Sequence, residues 1–132
     1  MGKSKTSNSY FLYVGAAVIV IGLIIFAANK ESAPSIYDEF AQCLTEQGTV
    51  MYGAWWCSHC TNQKDAFGSS FDYIDSVECS AAGSKAMNST CQDAGIEGYP
   101  TWEFADGSRV SGEQSFEYLA SQTGCELPNE IN

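Results

Sequence analysis

Basic residues are scarce in this chain of 132 residues, which has six lysines and arginines against sixteen acidic residues and a single histidine. From Glu31 onward, only three basic residues oppose all sixteen acidic ones. A surface of this charge repels nucleic acids and anionic lipid headgroups, so the sequence predicts no nucleic-acid partner. The acidic excess itself is typical of a well-hydrated, soluble surface.

The chain also lacks the second close pair of cysteines that a four-cysteine zinc site needs. Cys57 and Cys60 are three positions apart, whereas Cys79 and Cys91 are twelve apart. Covalent haem attachment needs a histidine after the second cysteine, but His59 lies between the two. The sequence therefore predicts neither a metal site nor a cofactor.

Charge is absent from the 19 mostly apolar residues 10–28. About 20 apolar residues cross the core of a bilayer as a helix, so we expect residues 10–28 to be a transmembrane anchor. Lysines precede this run, and the positive-inside rule then places residues 1–9 in the cytoplasm and the C-terminal part outside it, in a periplasm, a lumen or the cell exterior. A cleaved signal peptide is the alternative, and it delivers the remainder to the same side of the membrane.

Cysteine is abundant, with six residues, an even number that is typical of proteins from an oxidising compartment. The polar residues 29–35 are expected to form a linker and residues 127–132 a C-terminal tail. Between them, residues 36–126 are enough for one domain with a modest core.

The periodicity of residues 36–126 predicts an α/β domain with a mixed central sheet flanked by helices. We expect Ser35 to cap the first helix and Ser89 or Thr90 to cap the third. The predicted elements are a helix over 35–48, a strand over 49–56, a helix over 58–67, a strand over 73–78, a short helix over 89–94, a hairpin over 95–112 that turns at Asp106-Gly107, and a helix over 113–124.

Cys57 follows the first apolar strand and stands at the start of the helix over 58–67. Unpaired backbone N–H groups and the positive end of the helix dipole favour a thiolate there, and the thiolate is the attacking species in disulfide exchange. Cys60 lies one turn along, close enough to resolve a mixed disulfide formed at Cys57. This pattern predicts a reactive dithiol, with an inert structural disulfide as the alternative.

The residues between the two cysteines, Ser58 and His59, are expected to modulate the pair. An imidazole at this place can donate a hydrogen bond or contribute positive charge to the thiolate, which favours the reduced form and makes the pair a stronger oxidant. The alternative for His59 is a solvated side chain on the surface.

Pro100, in the stretch EGYPT at 97–101, follows an aromatic residue and is a candidate for a cis peptide bond. A cis Pro100 beside the dithiol would leave the backbone of Tyr99 free to pair with an extended substrate. The alternative is a trans proline at the start of a strand. Trp55 and Trp56 either shape the apolar surround of a substrate site, to which we assign Trp56, or pack in the core.

Four stretches of the chain carry a resemblance to a known family. They are MYGAWWCSHCTNQKDAFG, VEC, GIEGYPTWEF and SGEQSFEYLA. Together they resemble the thioredoxin superfamily and, more closely, the thioredoxin-like domain fused to bacterial and plant vitamin K epoxide reductase homologues. The resemblance covers nearly all of residues 36–126. It implies a thioredoxin-like fold, with Cys57 attacking, Cys60 resolving and Pro100 cis.

The resemblance also implies a role in disulfide formation outside the cytoplasm. In that role the domain passes oxidising equivalents between a quinone-linked membrane oxidase and substrate proteins that carry cysteine thiols. Three departures from the family matter. The four-helix reductase portion is absent, so the oxidase is expected to be a separate chain, and Met51 stands where many thioredoxins have a buried acid. The dipeptide between the cysteines is Ser-His, which favours oxidation. The alternatives are a reductase or isomerase, a non-catalytic binding module, and a copper or zinc chaperone.

Four cysteines remain outside the dithiol. Cys79 and Cys91 are candidates for a structural disulfide that would contribute roughly 3 kcal/mol in the loop-entropy model, and a second redox relay is the alternative. Cys43 and Cys125 either pair with each other or leave Cys43 as a buried free thiol.

Overall fold

The structure, a computed structural model, describes residues 7–28 and 34–128. The chain divides into two units, residues 1–33 and 34–132, and each is described by itself. Predictions for residues 1–6, 29–33 and 129–132 lie outside the described residues. They include most of the expected cytoplasmic N-terminus, of the linker and of the C-terminal tail.

In the first unit, the described residues form the helix α1 (Ser7–Ala28). The side chains from Tyr10 to Ile25 are exposed within this unit. Among the described residues, no helix combines the length and the apolar character that a membrane crossing needs. The structure therefore does not confirm the transmembrane helix expected over residues 10–28.

The second unit has the order of helices and strands that the sequence predicts, with one 3₁₀ helix added. Its elements are α2 (Asp38–Glu46), β1 (Val50–Gly53), α3 (Ser58–Phe67), the 3₁₀ helix (Gly68–Tyr73), β2 (Asp75–Glu78), α4 (Ser89–Asp93), β3 (Thr101–Glu103), β4 (Arg109–Ser111) and α5 (Phe116–Thr123).

The four strands form one sheet in the order β2-β1-β3-β4. Strand β1 pairs in parallel with β2 and antiparallel with β3, and β3 pairs antiparallel with β4. This mixed α/β arrangement fits a thioredoxin-like fold, as predicted. Strand β1 is a central strand of the sheet. The turn that follows its C-terminal end leads to Cys57 at the start of α3.

The core of this unit lies between the central strands and helices α2, α3 and α5. Met51 on β1 and Trp102 on β3 are register partners, and both side chains are buried. Burying a large apolar side chain contributes about 1.5–3 kcal/mol, so these contacts dominate the stability of the unit. The buried members of the cluster are Phe40, Ala41, Leu44, Met51, Phe67, Ile74, Trp102, Phe104, Leu119 and Cys125.

Two helix caps differ from the prediction. Helix α2 begins at Asp38 with Tyr37 in the cap position, because the side chain of Asp38 accepts a hydrogen bond from the Ser35 backbone N–H at 2.9 Å and residues 35–38 form a turn. Helix α4 is capped by Asn88, whose side chain accepts from Cys91 N–H at 3.0 Å. Asn88 also donates to the carbonyl of Glu78 at 2.9 Å, so a contact between elements selects it over the predicted Ser89 or Thr90.

Strand β2 begins at Asp75, two residues later than predicted. Thr45 on α2 donates to the Tyr73 carbonyl at 2.7 Å and accepts from Asp75 N–H at 2.9 Å, which ends the 3₁₀ helix against α2. Strand β1 ends at Gly53, so Trp55 and Trp56 lie in the turn before α3 rather than in the strand.

Two disulfides close the unit. Cys43 on α2 is joined to Cys125 beyond α5, across a sequence separation of 82 residues. Cys79 is joined to Cys91 across 12 residues, from the end of β2 to α4. The structure therefore pairs Cys43 and does not leave it as a free thiol. In the loop-entropy model the longer bridge stabilises the fold by about 4.5 kcal/mol and the shorter by about 3 kcal/mol.

Candidate active site

Cys57 occupies the N-cap position of α3. Its backbone is extended, its N–H donates to the Ala54 carbonyl at 3.0 Å, and its Sγ accepts from the Cys60 backbone N–H at 3.2 Å. The sulfur therefore lies where the first N–H groups of a ten-residue helix are free to stabilise negative charge. A helix N-terminus is one of the environments in which reactive cysteines are found.

Cys60 lies one turn further along α3 and is the more buried of the two. Its residue is 1% exposed, against 7% for Cys57, and both cysteines are reduced in the structure. Burial and a hydrogen bond to Cys57 raise the pKa of Cys60 to about 12. Cys60 is thus a thiol at neutral pH, and Cys57 is the sulfur that an incoming group meets first.

Gly53 at the end of β1 makes room for the Cys60 sulfur. A Cβ atom at this position would lie 3.3 Å from Cys60 Sγ and 3.4 Å from the terminal carbon of Met51. The first distance is shorter than an ordinary van der Waals contact and the second is at its lower limit, so the dithiol packs closely on the central strand. Sequence patterns do not identify this role of Gly53, because it depends on a contact across seven residues.

A cavity of about 360 Å³ opens beside Cys57. The rings of Trp56 and Tyr99 meet edge to face in its wall, with centroids 5.8 Å apart. Ser58 and His59, which the sequence places between the cysteines, lie at its exposed mouth. The lining residues are Trp56, Cys57, Ser58, His59, Glu97, Gly98 and Tyr99.

The peptide bond between Tyr99 and Pro100 is cis. Tyr99 packs against the cluster of Ala54, Cys57 and Cys60, and its buried hydroxyl has no hydrogen-bond partner within residues 34–128. Burial, followed by the negative charges of Glu78 and the two cysteines, raises the pKa of the Tyr99 phenol. Pro100 itself is fully buried and is not among the lining residues, so Tyr99 rather than Pro100 presents the surface of the cavity.

The two tryptophans before Cys57 are not core residues. Trp55 donates through Nε1 to the carbonyls of Ala81 at 3.1 Å and Ser84 at 3.2 Å, while Trp56 donates to Ser80 Oγ at 3.0 Å. Half of Trp55 and more than a third of Trp56 are exposed. Their hydrogen bonds connect the loop after β2 to the turn that precedes Cys57. Trp56 also lines the cavity.

Cys79 and Cys91 form a second buried cluster with Ile96, and Tyr99 contacts both this cluster and the one around the dithiol. Neither Cys79 nor Cys91 has any exposed surface. Disulfide exchange needs an accessible sulfur, so this geometry favours a structural bridge over a second redox relay.

His59 also contacts Glu113, in the segment between β4 and α5, and the sequence does not predict this contact. Glu113 Oε1 lies 2.5 Å from His59 Nδ1 and 3.1 Å from Asn62 Nδ2. These hydrogen bonds lower the pKa of the Glu113 carboxyl. Glu113 lies 54 positions after His59, and no spacing rule connects the two, so only the tertiary fold identifies the pair.

A scan against models of protein families finds no match. A curated plant protein named "Thiol-disulfide oxidoreductase LTO1", from Arabidopsis thaliana, is 40% identical to the chain over 119 residues. The match covers 85% of this chain and 31% of the plant protein, so the chain spans about a third of the length of that relative. Together with the mixed sheet, this similarity supports a place in the thioredoxin-like superfamily.

Proposed function

We propose that the chain is a thiol–disulfide oxidoreductase that acts as a dithiol oxidase outside the cytoplasm. The observation that carries the proposal is the position of Cys57. Its sulfur caps the N-terminus of α3, faces a cavity and has the buried Cys60 one turn away. The name of the plant relative, which describes thiol–disulfide oxidoreduction, supports the same class of reaction.

The reaction begins with a disulfide between Cys57 and Cys60. A substrate thiolate attacks Cys57 Sγ and forms a mixed disulfide, while Cys60 leaves as a thiolate and takes up a proton. A second substrate thiolate then attacks the substrate sulfur of the mixed disulfide and displaces Cys57. The substrate loses two electrons and two protons as its disulfide forms, and the Cys57–Cys60 pair gains the two electrons.

The proposed direction of transfer rests on the contacts that would stabilise the reduced pair. A Cys57 thiolate accepts the hydrogen bond from Cys60 N–H and benefits from the helix terminus, and the Cys60 thiol, whose pKa is about 12, remains protonated beside it. Stabilising the reduced form makes a dithiol a stronger oxidant. These contacts support oxidation of substrate thiols as the proposed direction, whereas a reductase or isomerase would use the opposite one.

The substrates in this proposal are proteins with pairs of cysteine thiols, and the cavity walled by Trp56 and Tyr99 would receive the segment around the reacting cysteine. Structural disulfides persist in oxidising compartments, and the two in this unit support a location outside the cytoplasm.

Reoxidation of the pair is assigned to a separate membrane disulfide oxidase of the vitamin K epoxide reductase type, on the basis of the four stretches of resemblance. Attachment to the membrane through residues 10–28 rests on their lack of charge, and the described helices lend it no support. Fractionation of cells with an alkaline carbonate wash tests this part, since an integral anchor keeps the chain in the membrane pellet.

A cysteine trap tests the reaction. In C60A the Cys57 thiolate attacks the disulfide of an oxidised peptide and releases the peptide's other sulfur as a thiolate; because Cys60 is missing, the chain itself cannot resolve the mixed disulfide, and this variant should accumulate disulfide-linked adducts with the peptide. The matched variant C57A should form none, because Cys60 is buried. The oxidised wild-type chain should convert one peptide dithiol to a disulfide per molecule. Absence of both adducts and peptide oxidation would exclude the proposed activity and favour a binding module.

A further inference from the structure

A bridge of polar contacts connects the active-site helix to the segment that precedes α5. Glu113 Oε1 lies 2.5 Å from His59 Nδ1 and 3.1 Å from Asn62 Nδ2, so one carboxylate oxygen holds two side chains of α3. Because both hydrogen bonds lower the pKa of Glu113, the carboxylate is charged at neutral pH. Nothing else among the described residues is recorded as bonding to the His59 ring.

The buried amide side chain of Gln63 helps to position the Glu113 carboxylate. Gln63, the next residue on α3, is 2% exposed, and its Oε1 accepts from the Gln114 backbone N–H at 2.7 Å. Its Nε2 donates in return to the Gln114 carbonyl at 3.2 Å, and Trp102 Nε1 donates to the same Oε1 at 3.4 Å. The backbone beside Glu113 is therefore anchored to α3, which keeps the Glu113 side chain within reach of His59.

We propose that Glu113 is a positioning residue that fixes the His59 imidazole at the mouth of the Cys57 cavity and so strengthens the Cys57–Cys60 pair as an oxidant. The proposal rests on the redox function proposed above. It assigns no chemical step to Glu113, which acts through His59.

The chemistry of the contact supports this role. A carboxylate is only an acceptor, so His59 Nδ1 must carry the proton and the ring is held in one orientation. The His59 side chain is 69% exposed, and without a partner its dipole and charge would be averaged over many rotamers and screened by water. His59 and Cys57 line the same cavity, so a fixed ring keeps its positive edge close to the thiolate of the reduced pair.

Equilibration of the full chain with reduced and oxidised glutathione tests the proposal. The quantity measured is the equilibrium constant for reduction of the Cys57–Cys60 disulfide, with the redox state read by mass spectrometry after alkylation. We expect E113A to lower this constant about two- to fivefold, because an exposed ion pair contributes up to about 1 kcal/mol. E113Q keeps an acceptor oxygen and should fall between E113A and the wild type.

A double-mutant cycle shows whether Glu113 acts through His59. H59A should lower the constant at least as much as E113A does, and adding E113A to H59A should change it less than about twofold. N62A removes the other partner of the carboxylate and serves as the matched control, with an expected change of less than about twofold.

The thermal midpoint of E113A should equal that of the wild type, because exposed ion pairs contribute little to stability. If E113A fails to fold, E113Q carries the test.

The outcomes separate this inference from the proposed function. An unchanged constant in E113A overturns the positioning role. A higher constant also overturns it, because it would mean that the negative charge of Glu113 merely repels the thiolate. An equal effect of E113A in the H59A background also overturns it. In either case a wild-type chain that exchanges disulfides keeps the proposed function intact. A wild-type chain that does not exchange with glutathione at all overturns both.

Discussion

At the scale of single residues, the two cysteines of the dithiol differ in their exposure and in their contacts. Cys57 faces the cavity and accepts a hydrogen bond from the backbone, whereas Cys60 lies against Gly53 and its thiol has a pKa of about 12. The spacing of the cysteines predicts which one attacks. The burial of Cys60 and its contact with the central strand follow only from the structure.

Alkylation measures this asymmetry. A reduced chain treated briefly with iodoacetamide near pH 8 should be modified at Cys57 and not at Cys60, because a raised pKa leaves Cys60 protonated until the pH approaches about 12. Peptide mapping by mass spectrometry identifies the labelled residue. Labelling of Cys60 at a rate equal to that of Cys57 would contradict the assignment of roles.

Substitution of Gly53 tests the packing of the dithiol. The added methyl group of G53A would lie 3.3 Å from Cys60 Sγ, so it should displace that sulfur and slow the resolution of a glutathione mixed disulfide at Cys57 by about tenfold. G22A, where no atom lies within 4 Å of the added carbon, is the control and should resolve at the rate of the wild type. Equal rates in the two variants would refute close packing at Gly53.

At the scale of elements, the sequence predicts the order of helices and strands, and the structure differs at their ends. The alternation of apolar residues in strands and their helical periodicity indicate which residues face a core. Both patterns depend only on residues that are close together in the sequence. The caps of α2 and α4 depend instead on partners elsewhere in the chain, such as the Glu78 carbonyl that binds Asn88. Glu113 was missed for the same reason, since its partner His59 lies on a distant element.

The cap of α4 yields a direct comparison between the prediction from sequence and the structure. N88A removes the acceptor for Cys91 N–H and the donor to Glu78, and should lower the free energy of unfolding by about 1–2 kcal/mol. S89A, at the exposed position that the sequence favours as the cap, should change it by less than about 0.5 kcal/mol. Urea denaturation monitored by circular dichroism measures both. A larger loss in S89A than in N88A would show that the sequence-based cap is correct.

At the scale of the whole molecule, a short domain with a modest core is closed by two covalent bridges. The bridge from Cys43 to Cys125 ties the first helix of the unit to its end, and sequence alone leaves that pairing open because it depends on whether those elements meet. Domains of this size have free energies of unfolding of about 5–15 kcal/mol, so a bridge that contributes several kcal/mol is a large share.

Removal of each bridge ranks their contributions. The double variant C43A/C125A should lose about 4.5 kcal/mol of stability, and C79A/C91A about 3 kcal/mol, because the longer loop restricts the unfolded chain more. Guanidinium denaturation of both variants under non-reducing conditions provides the comparison. A larger loss in C79A/C91A would contradict the loop-entropy account and indicate that packing around the shorter bridge dominates.

The reduction potential of the Cys57–Cys60 pair tests the central claim most directly. It is obtained by equilibrating the chain with glutathione buffers and counting alkylated thiols by mass spectrometry. The account predicts that Cys57 and Cys60 alone change redox state in these buffers, at a potential closer to about −120 mV than to about −270 mV. A potential at or below about −270 mV, or a Cys57–Cys60 pair that does not exchange, would contradict the assignment of the chain as a dithiol oxidase.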